Sequence, residues 1–220
     1  MDLNPADCLA PTPFVDSEHA AVVAFATRAT AEATTSRERA AALFLAVRDG
    51  YRYDPYNTSY EPESFKASTV VGSERNWCVP KSVLLTAACR AAGLPAALGF
   101  ADVRNHLQSE KLSQTMGTDV FAWHGYSMIW LDDSWHKVSS AFNVEMCERF
   151  GTKVLEWDGT GDALMHPFDA SGNRHMEYVR DRGVYVDLPL NSLLATFAEL
   201  YPNMAGSRAA GSGVRDEMFD

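Results

Sequence analysis

Asn76-Trp77-Cys78-Val79-Pro80-Lys81-Ser82-Val83-Leu84-Leu85-Thr86-Ala87-Ala88-Cys89-Arg90-Ala91-Ala92-Gly93-Leu94-Pro95 is a helix with its start and its stop written into it. Val83, Leu84, Ala87, Ala88 and Ala91 recur at helical spacing and mark an apolar face. Gly93 ends the run and Pro95 cannot continue it. Pro80 is tolerated only in a first turn, so the helix begins at about Cys78. A thiol at that point meets unpaired backbone N–H groups and the positive end of the helix dipole, and both favour the nucleophilic thiolate. Against this stands the ordinary fate of a free cysteine, an inert core hydrophobe. Cys8, Cys89 and Cys147 take that second reading, Cys89 on the apolar side of this helix and Cys147 in a short helix predicted over 144–150.

Upstream, Asp16 or Ser17 is placed to cap a helix over 18–33 with Ala21, Val22, Phe25 and Ala29 inward. Thr35 and Glu38 have the spacing of a capping box that opens a second helix ending at Gly50. Residues 51–76 are polar and aromatic without a period, which predicts a long surface loop of the kind that often carries function. Downstream, 96–103 is a predicted strand and 104–118 is polar. Residues 120–131 are apolar on both faces and predict a central buried strand. Asp132-Asp133 makes a tight turn and 135–140 returns. The last third mixes short Gly-, Asp- and His-rich segments with an amphipathic helix near 190–200. From Ala205 the composition is that of disorder. Helices followed by a meandering antiparallel sheet predict an α+β fold, in one domain over 1–204 with a disordered tail over 205–220.

Composition sets the limits. The 220 residues, 46% hydrophobic and 22% charged, are enough for a proper core. Four cysteines without framework spacing predict reduced thiols in a cytoplasm. No basic segment precedes an apolar one at the N-terminus, and the apolar stretch 20–26 is too short to span a bilayer. A net charge of −10 disfavours nucleic acid and anionic membranes as partners. His19, His106, His124, His136, His166 and His175 are scattered, and neither a zinc motif nor a nucleotide-binding glycine loop occurs, so no metal and no cofactor are expected.

His124 lies in Phe121-Ala122-Trp123-His124-Gly125-Tyr126, within the predicted central strand. Alone, such a histidine is ordinarily a satisfied core residue. Beside a cysteine at a helix N-terminus it completes the minimal nucleophile–base pair for acyl transfer. Trp77-Cys78-Val79-Pro80-Lys81, then Arg90-Ala91-Ala92-Gly93-Leu94-Pro95-Ala96, then Trp123-His124-Gly125-Tyr126 followed by Trp135 resemble the transglutaminase-like superfamily of cysteine enzymes. The similarity is greater to its stand-alone bacterial transglutaminase-domain branch, through residues 46–50, 99–106, 141–143 and 176–178. The resemblance implies a papain-like fold, with N-terminal helices and the nucleophile at a helix N-terminus packed on an antiparallel sheet. It further implies that Cys78 attacks an acyl carbonyl, that His124 shuttles the proton, and that an Asp on the next strand orients the histidine.

The chain departs from that pattern at the third member, where Ser139 follows Trp135-His136-Lys137-Val138. With a two-residue turn at Asp132-Asp133, His124 faces Ala141, and Ser139 and Asn143 become its diagonal neighbours. Asn143 can accept from an imidazole N–H, Ser139 more weakly, and Asp158 is an outside candidate; ordinary strand-end polarity explains all three equally well. A neutral third member stabilises imidazolium less than a carboxylate does, which suits thioesters better than unactivated amides. The function implied is cysteine-dependent acyl transfer on a small-molecule or peptidyl amide or thioester, ending in hydrolysis, aminolysis or cyclisation. A narrower version is a Dieckmann-type cyclase or release enzyme acting on carrier-protein thioesters in polyketide or nonribosomal peptide biosynthesis. The rival is a non-catalytic binding module on the same fold, in which Asp102, Arg104, Asn105 and His106 hold a ligand or simply form a solvated loop. Tyr51, Tyr53, Tyr56 and Trp123 would line an acyl pocket or fill the core. An active Cys78 is expected to react with iodoacetamide near neutral pH.

Overall fold

The computed structural model describes residues 3–106, 110–166, 168–173 and 175–201. In chain order its elements are α1 (Ala20–Ala29), α2 (Ser36–Gly50), β1 (Arg52–Tyr53), α3 (Ala67–Val71), β2 (Arg75–Asn76), α4 (Cys78–Ala91), β3 (Ala96–Asn105), α5 (Glu110–Met116), β4 (Val120–Leu131), β5 (Ser134–Val138), α6 (Val144–Phe150), β6 (Met176–Tyr185) and α7 (Leu190–Leu200). This is the expected α+β arrangement, helices first and an antiparallel sheet after.

Helix α1 is capped by neither Asp16 nor Ser17. The cap is His19, whose Nδ1 accepts from the Ala21 N–H, while Asp16 turns to accept from the Ser68 N–H and so ties the entry of α1 to α3. Val22 and Ala26 are its buried residues. The capping box of α2 is present in both directions, Thr35 accepting from the Glu38 N–H and Glu38 from the Thr35 N–H. Residues 51–76 are not a structureless loop. They form the parallel pair β1–β2 and the short helix α3, which buries Ala67 and Val70.

Helix α4 starts at Cys78 and carries Pro80 in its first turn, as the sequence requires. Its environment differs from the single apolar face expected, because every residue from Cys78 to Arg90 is buried. A helix closed in on all sides must satisfy its polar side chains internally. Ser82 donates to the Val79 carbonyl, and Thr86 and Ser127 share a hydrogen bond. Lys81 and Arg90 find main-chain carbonyls, described below.

The sheet has strand order β5-β4-β3-β6, all pairs antiparallel. β4 is internal and buried along most of its length, in line with its continuous apolar run. Asp132 and Asp133 both have positive φ, 49° and 61°, the signature of a type I′ hairpin. β5 is shorter than predicted. Its ladder with β4 ends at the Ser127↔Val138 pair, and Val138 also forms a parallel bridge to Ala163. β6 is an element the sequence did not reveal. The helix predicted near 190–200 is α7, and 144–150 is α6 as expected. The tail predicted over 205–220 lies outside the described residues. Among the described residues no helix is long and apolar enough to cross a membrane.

Candidate active site

The chain reaches its site through an irregularity in the sheet. Ala101 pairs with His124 and Val103 with Phe121, so the single residue Asp102 stands opposite two, Ala122 and Trp123. Trp123 takes φ of 59° to accommodate the bulge, a conformation that costs a non-glycine residue on the order of 1 kcal/mol. The two bulge N–H groups lose their ladder partners and gain others. Trp123 N–H donates to Asp102, and Ala122 N–H donates to the Tyr201 hydroxyl at the end of α7, which itself donates to the Val120 carbonyl. Asp102 is held from the far side by a bidentate pair with Arg182, at 2.6 and 2.8 Å. Arg182 is the extra residue of a second bulge, in β6, and its guanidinium also lies over the Trp123 ring. Asp102 is therefore not part of a solvated loop, since β3 runs on to Asn105 and the carboxylate is buried beneath the bulge.

This bulge sets His124 and Gly125 against the start of α4. A Cβ at Gly125 would lie 2.6 Å from Ser82 Oγ and 3.1 Å from Val79 Cα, so only glycine lets the strand backbone come this close. The backbone N–H groups of Gly125, Val79 and Cys78 bond the Cys78 sulfur and favour its thiolate, as does the nearby Lys81 charge, but burial outweighs all of them and pushes the thiol up to about 11. The helix N-terminus does what the sequence suggested; desolvation does more. Burial alone pushes His124 down to about 4. The resting pair is thus neutral thiol and neutral imidazole. Slow alkylation at neutral pH follows from burial and no longer distinguishes an active Cys78 from a structural one.

Lys81 lies one turn along α4 from Cys78 and is fully buried. Its Nζ donates to the carbonyls of Arg48 and Tyr51 at the end of α2, at 2.9 and 2.6 Å. Burial pushes this ammonium down to about 7. Cys78 and His124 line two narrow clefts in common, of about 600 and about 500 Å³ when the solvent at their mouths is counted. Tyr53 and Phe121 line both, so Tyr53 meets the expectation of an aromatic pocket wall, whereas Trp123 packs behind the site on Phe100 and Tyr185.

The proposed third members are scattered. Asn143 is buried, and its Oδ1 accepts from the Tyr53 N–H at 3.0 Å. Ser139 is buried with its Oγ unpartnered among the described residues. Asp158 is exposed and closes its own turn on Thr160. The ladder that was to set Ser139 and Asn143 diagonal to His124 ends at Val138, so the register carries neither to it. His124 Nε2 has no hydrogen-bond partner among the described residues, and its ring meets Tyr178 edge-on. His175, which the sequence left among scattered histidines, lines the larger cleft with Cys78 and His124; its only advance signal was its place just before the family-like segment 176–178. Among the described residues no three His, Cys, Asp or Glu side chains gather as a metal set.

A profile of the transglutaminase-like superfamily matches residues 23–140, more than half of the chain. The chain belongs to the transglutaminase-like superfamily. The matched span contains α4, the bulge and His124. In this superfamily setting, the buried cysteine at the α4 N-terminus and the histidine of β4 support a cysteine-dependent enzyme. Among solved structures, a protein of Cytophaga hutchinsonii described as a candidate cysteine protease aligns at 15% identity and TM-score 0.49, over 63% of this chain and 43% of its own. A candidate protease of Parabacteroides distasonis aligns at 13% identity and TM-score 0.39, over 59% and 26%. The chain therefore spans less than half the length of either, and neither likeness bears on its chemistry. No curated protein matches the sequence.

Proposed function

We propose that this transglutaminase-like protein is an acyl-transfer enzyme that works through an acyl-thioester on Cys78. The observation that carries this reading is a buried thiol at a helix N-terminus that lines an enclosed cleft together with the His124 imidazole, whose Nε2 has no hydrogen-bond partner among the described residues. Sγ attacks the carbonyl carbon of the donor while the thiol proton passes to the His124 imidazole. The carbonyl oxygen becomes an oxyanion that accepts from the Cys78 backbone N–H. Collapse breaks the bond to the leaving group, which takes the proton from His124, as it goes if an amine and once it has parted as a thiolate if a thiol, so that His124 is neutral again. A second nucleophile then yields its proton to His124 and attacks the thioester, the bond to Cys78 Sγ breaks, and His124 returns that proton to the released sulfur.

With a thiol near 11 and an imidazole near 4, moving the proton between them is strongly uphill. An activated carbonyl offsets this cost, so thioesters are the favoured donors over amides. A thiol that is 7% exposed is reached more readily by a donor on a slender arm than by the side chain of a folded protein. Carrier-protein-bound acyl groups have that form. The same shielding favours a nucleophile already inside the cleft over bulk water, so aminolysis or cyclisation by a nitrogen or carbon of the acyl chain, the latter a Dieckmann-type ring closure, is favoured over hydrolysis.

Intact-protein mass spectrometry with a panel of acyl thioesters and amides tests this, with Cys78→Ala in parallel. The expected result is an adduct of acyl mass that forms faster from thioesters and is absent in the variant. No adduct from any donor would return the protein to the binding-module reading.

A further inference from the structure

The two clefts that meet at Cys78 share their mouths and differ in their ends. The smaller extends toward Tyr60, Trp77, Phe197 and Tyr201 and is the more open; the larger is the more enclosed and ends at Phe142, Phe150 and His175. Among the described residues neither wall contains an Asp, Glu, Lys or Arg. A charged group entering such a cleft would lose its hydration without gaining a counter-ion, which costs several kcal/mol. The enclosed arm nonetheless presents two unpaired polar atoms besides His124, Thr152 Oγ1 and His175 Nδ1. His175 is 3% exposed, its ring stacks on Phe142 at an interplanar angle of 25°, and its Nδ1 has no hydrogen-bond partner among the described residues. A buried polar atom left unpaired in a functional cleft marks a place where a ligand atom belongs.

We propose that the His175 arm holds the acyl group of the substrate, and that this group is neutral, largely apolar and carries a hydroxyl that bonds His175 Nδ1. The proposal rests on the acyl-transfer reading and deepens it by naming the class of donor. A hydroxyl fits either imidazole tautomer, donating to a bare Nδ1 or accepting from Nδ1–H, whereas a carbonyl serves only the second. Phe142 and Phe150 suit an aromatic or compact aliphatic body. The more open arm is left for the leaving group and the incoming nucleophile, which must pass in and out.

The test uses Cys78→Ala protein, which cannot turn donors over, and isothermal titration with N-acetylcysteamine thioesters of phenylacetate, 4-hydroxyphenylacetate and 4-carboxyphenylacetate. The hydroxylated ester is expected to bind roughly five- to tenfold more tightly than the plain one, the yield of one net hydrogen bond. The carboxylated ester is expected to bind at least about tenfold more weakly. Adding His175→Phe, which keeps a ring against Phe142, should abolish the preference for the hydroxylated ester over the plain one. The nitrogen-15 shift of His175 Nδ1 in the Cys78→Ala protein gives the same answer without altering His175: it should move with the hydroxylated ester and not with the plain one. Equal affinities for all three esters, or an unmoved Nδ1, would overturn the proposal. The wild-type mass measurement separates the two failures. Adducts that form without regard to hydroxyl or charge overturn the pocket and keep the acyl-transfer reading; the binding pattern without any adduct keeps the pocket and overturns acyl transfer.

Discussion

Helix α4 has charged or polar groups buried at both ends, and the two ends are treated differently. At its C-terminal end Arg90 spends its guanidinium on three main-chain carbonyls, those of Ala96, Ala10 and Val186, at 2.8, 2.7 and 2.6 Å. At the N-terminal end, His124 and His175 keep a ring nitrogen buried and unpaired. Full satisfaction is what a structural polar group shows, because an unmade buried bond costs on the order of 1–3 kcal/mol. At the N-terminal end that cost is borne by two side chains that line the cleft with the thiol. Stability and chemistry are thus divided along a single helix: one end fixes the N-terminal segment, the sheet and the approach to α7, and the other is kept ready for a ligand.

Substitutions at the two ends should therefore separate activity from stability. His124→Gln is expected to slow acyl-enzyme formation by about 10²- to 10⁴-fold, read by time-resolved mass spectrometry, with an unchanged fold by circular dichroism. A comparable loss of rate from Arg90→Met in still-folded protein would erase the distinction. That variant should instead strand three buried carbonyls and lower unfolding free energy by about 3–5 kcal/mol in urea titrations, leaving the rate per folded molecule within a few-fold. Asp102→Asn lies between the two regimes. It leaves Arg182 buried with a weakened partner and loosens the bulge, so it should cost about 3 kcal/mol and also reduce kcat, with KM little changed.

Acid sharpens the contrast further. Burial lowers His124 from its ordinary 6.5 to about 4, so the unfolded chain binds this proton more readily than the folded one. The stability is complete above about pH 6.5 and is lost as pH falls toward 4, by about 3 kcal/mol in all. His175 is lowered in the same direction by its burial. His124→Gln should flatten the decline between pH 6.5 and 4 in denaturant titrations; an unaltered slope would mean that His124 is not the group responsible. The smallest effect belongs to a feature remote from both ends. Thr35→Ala removes one half of the α2 capping box and should cost about 1 kcal/mol without any change in acylation.

How much of this was readable in advance depends on whether the signal was local. Cys78 at a helix start, the Thr35–Glu38 box, the Asp132-Asp133 turn and the apolar run of β4 are each set by neighbours a few residues away, and each has the structure its sequence predicts. β6 was not readable. It is an edge strand with two bulges and with Glu177, Arg180, Asp181 and Arg182 along it, so neither alternation nor an apolar run betrays it. The support of the site was hidden for a different reason. Asp102 and Arg182 are 80 residues apart, and nothing local marks a pair whose meaning arises only when β3 and β6 lie side by side. The search for an orienting residue assumed that β5 continues along β4. The ladder ends at Val138, and nothing in residues 139–143 marks that end.

Arg182 comes late in the chain, and that has a consequence for synthesis. A nascent polypeptide has α4, β3 and β4 on hand long before it has β6, so Cys78 and His124 can be brought together while the bulge between them still lacks its anchor. Asp102 then waits as an unpaired carboxylate, and the Trp123 ring lacks its cationic cover. Only when residue 182 leaves the ribosome does the histidine acquire a fixed seat, with the Tyr201 hydroxyl following some twenty residues later. The order of translation thereby defers the anchoring of His124 until nearly all of the described fold exists.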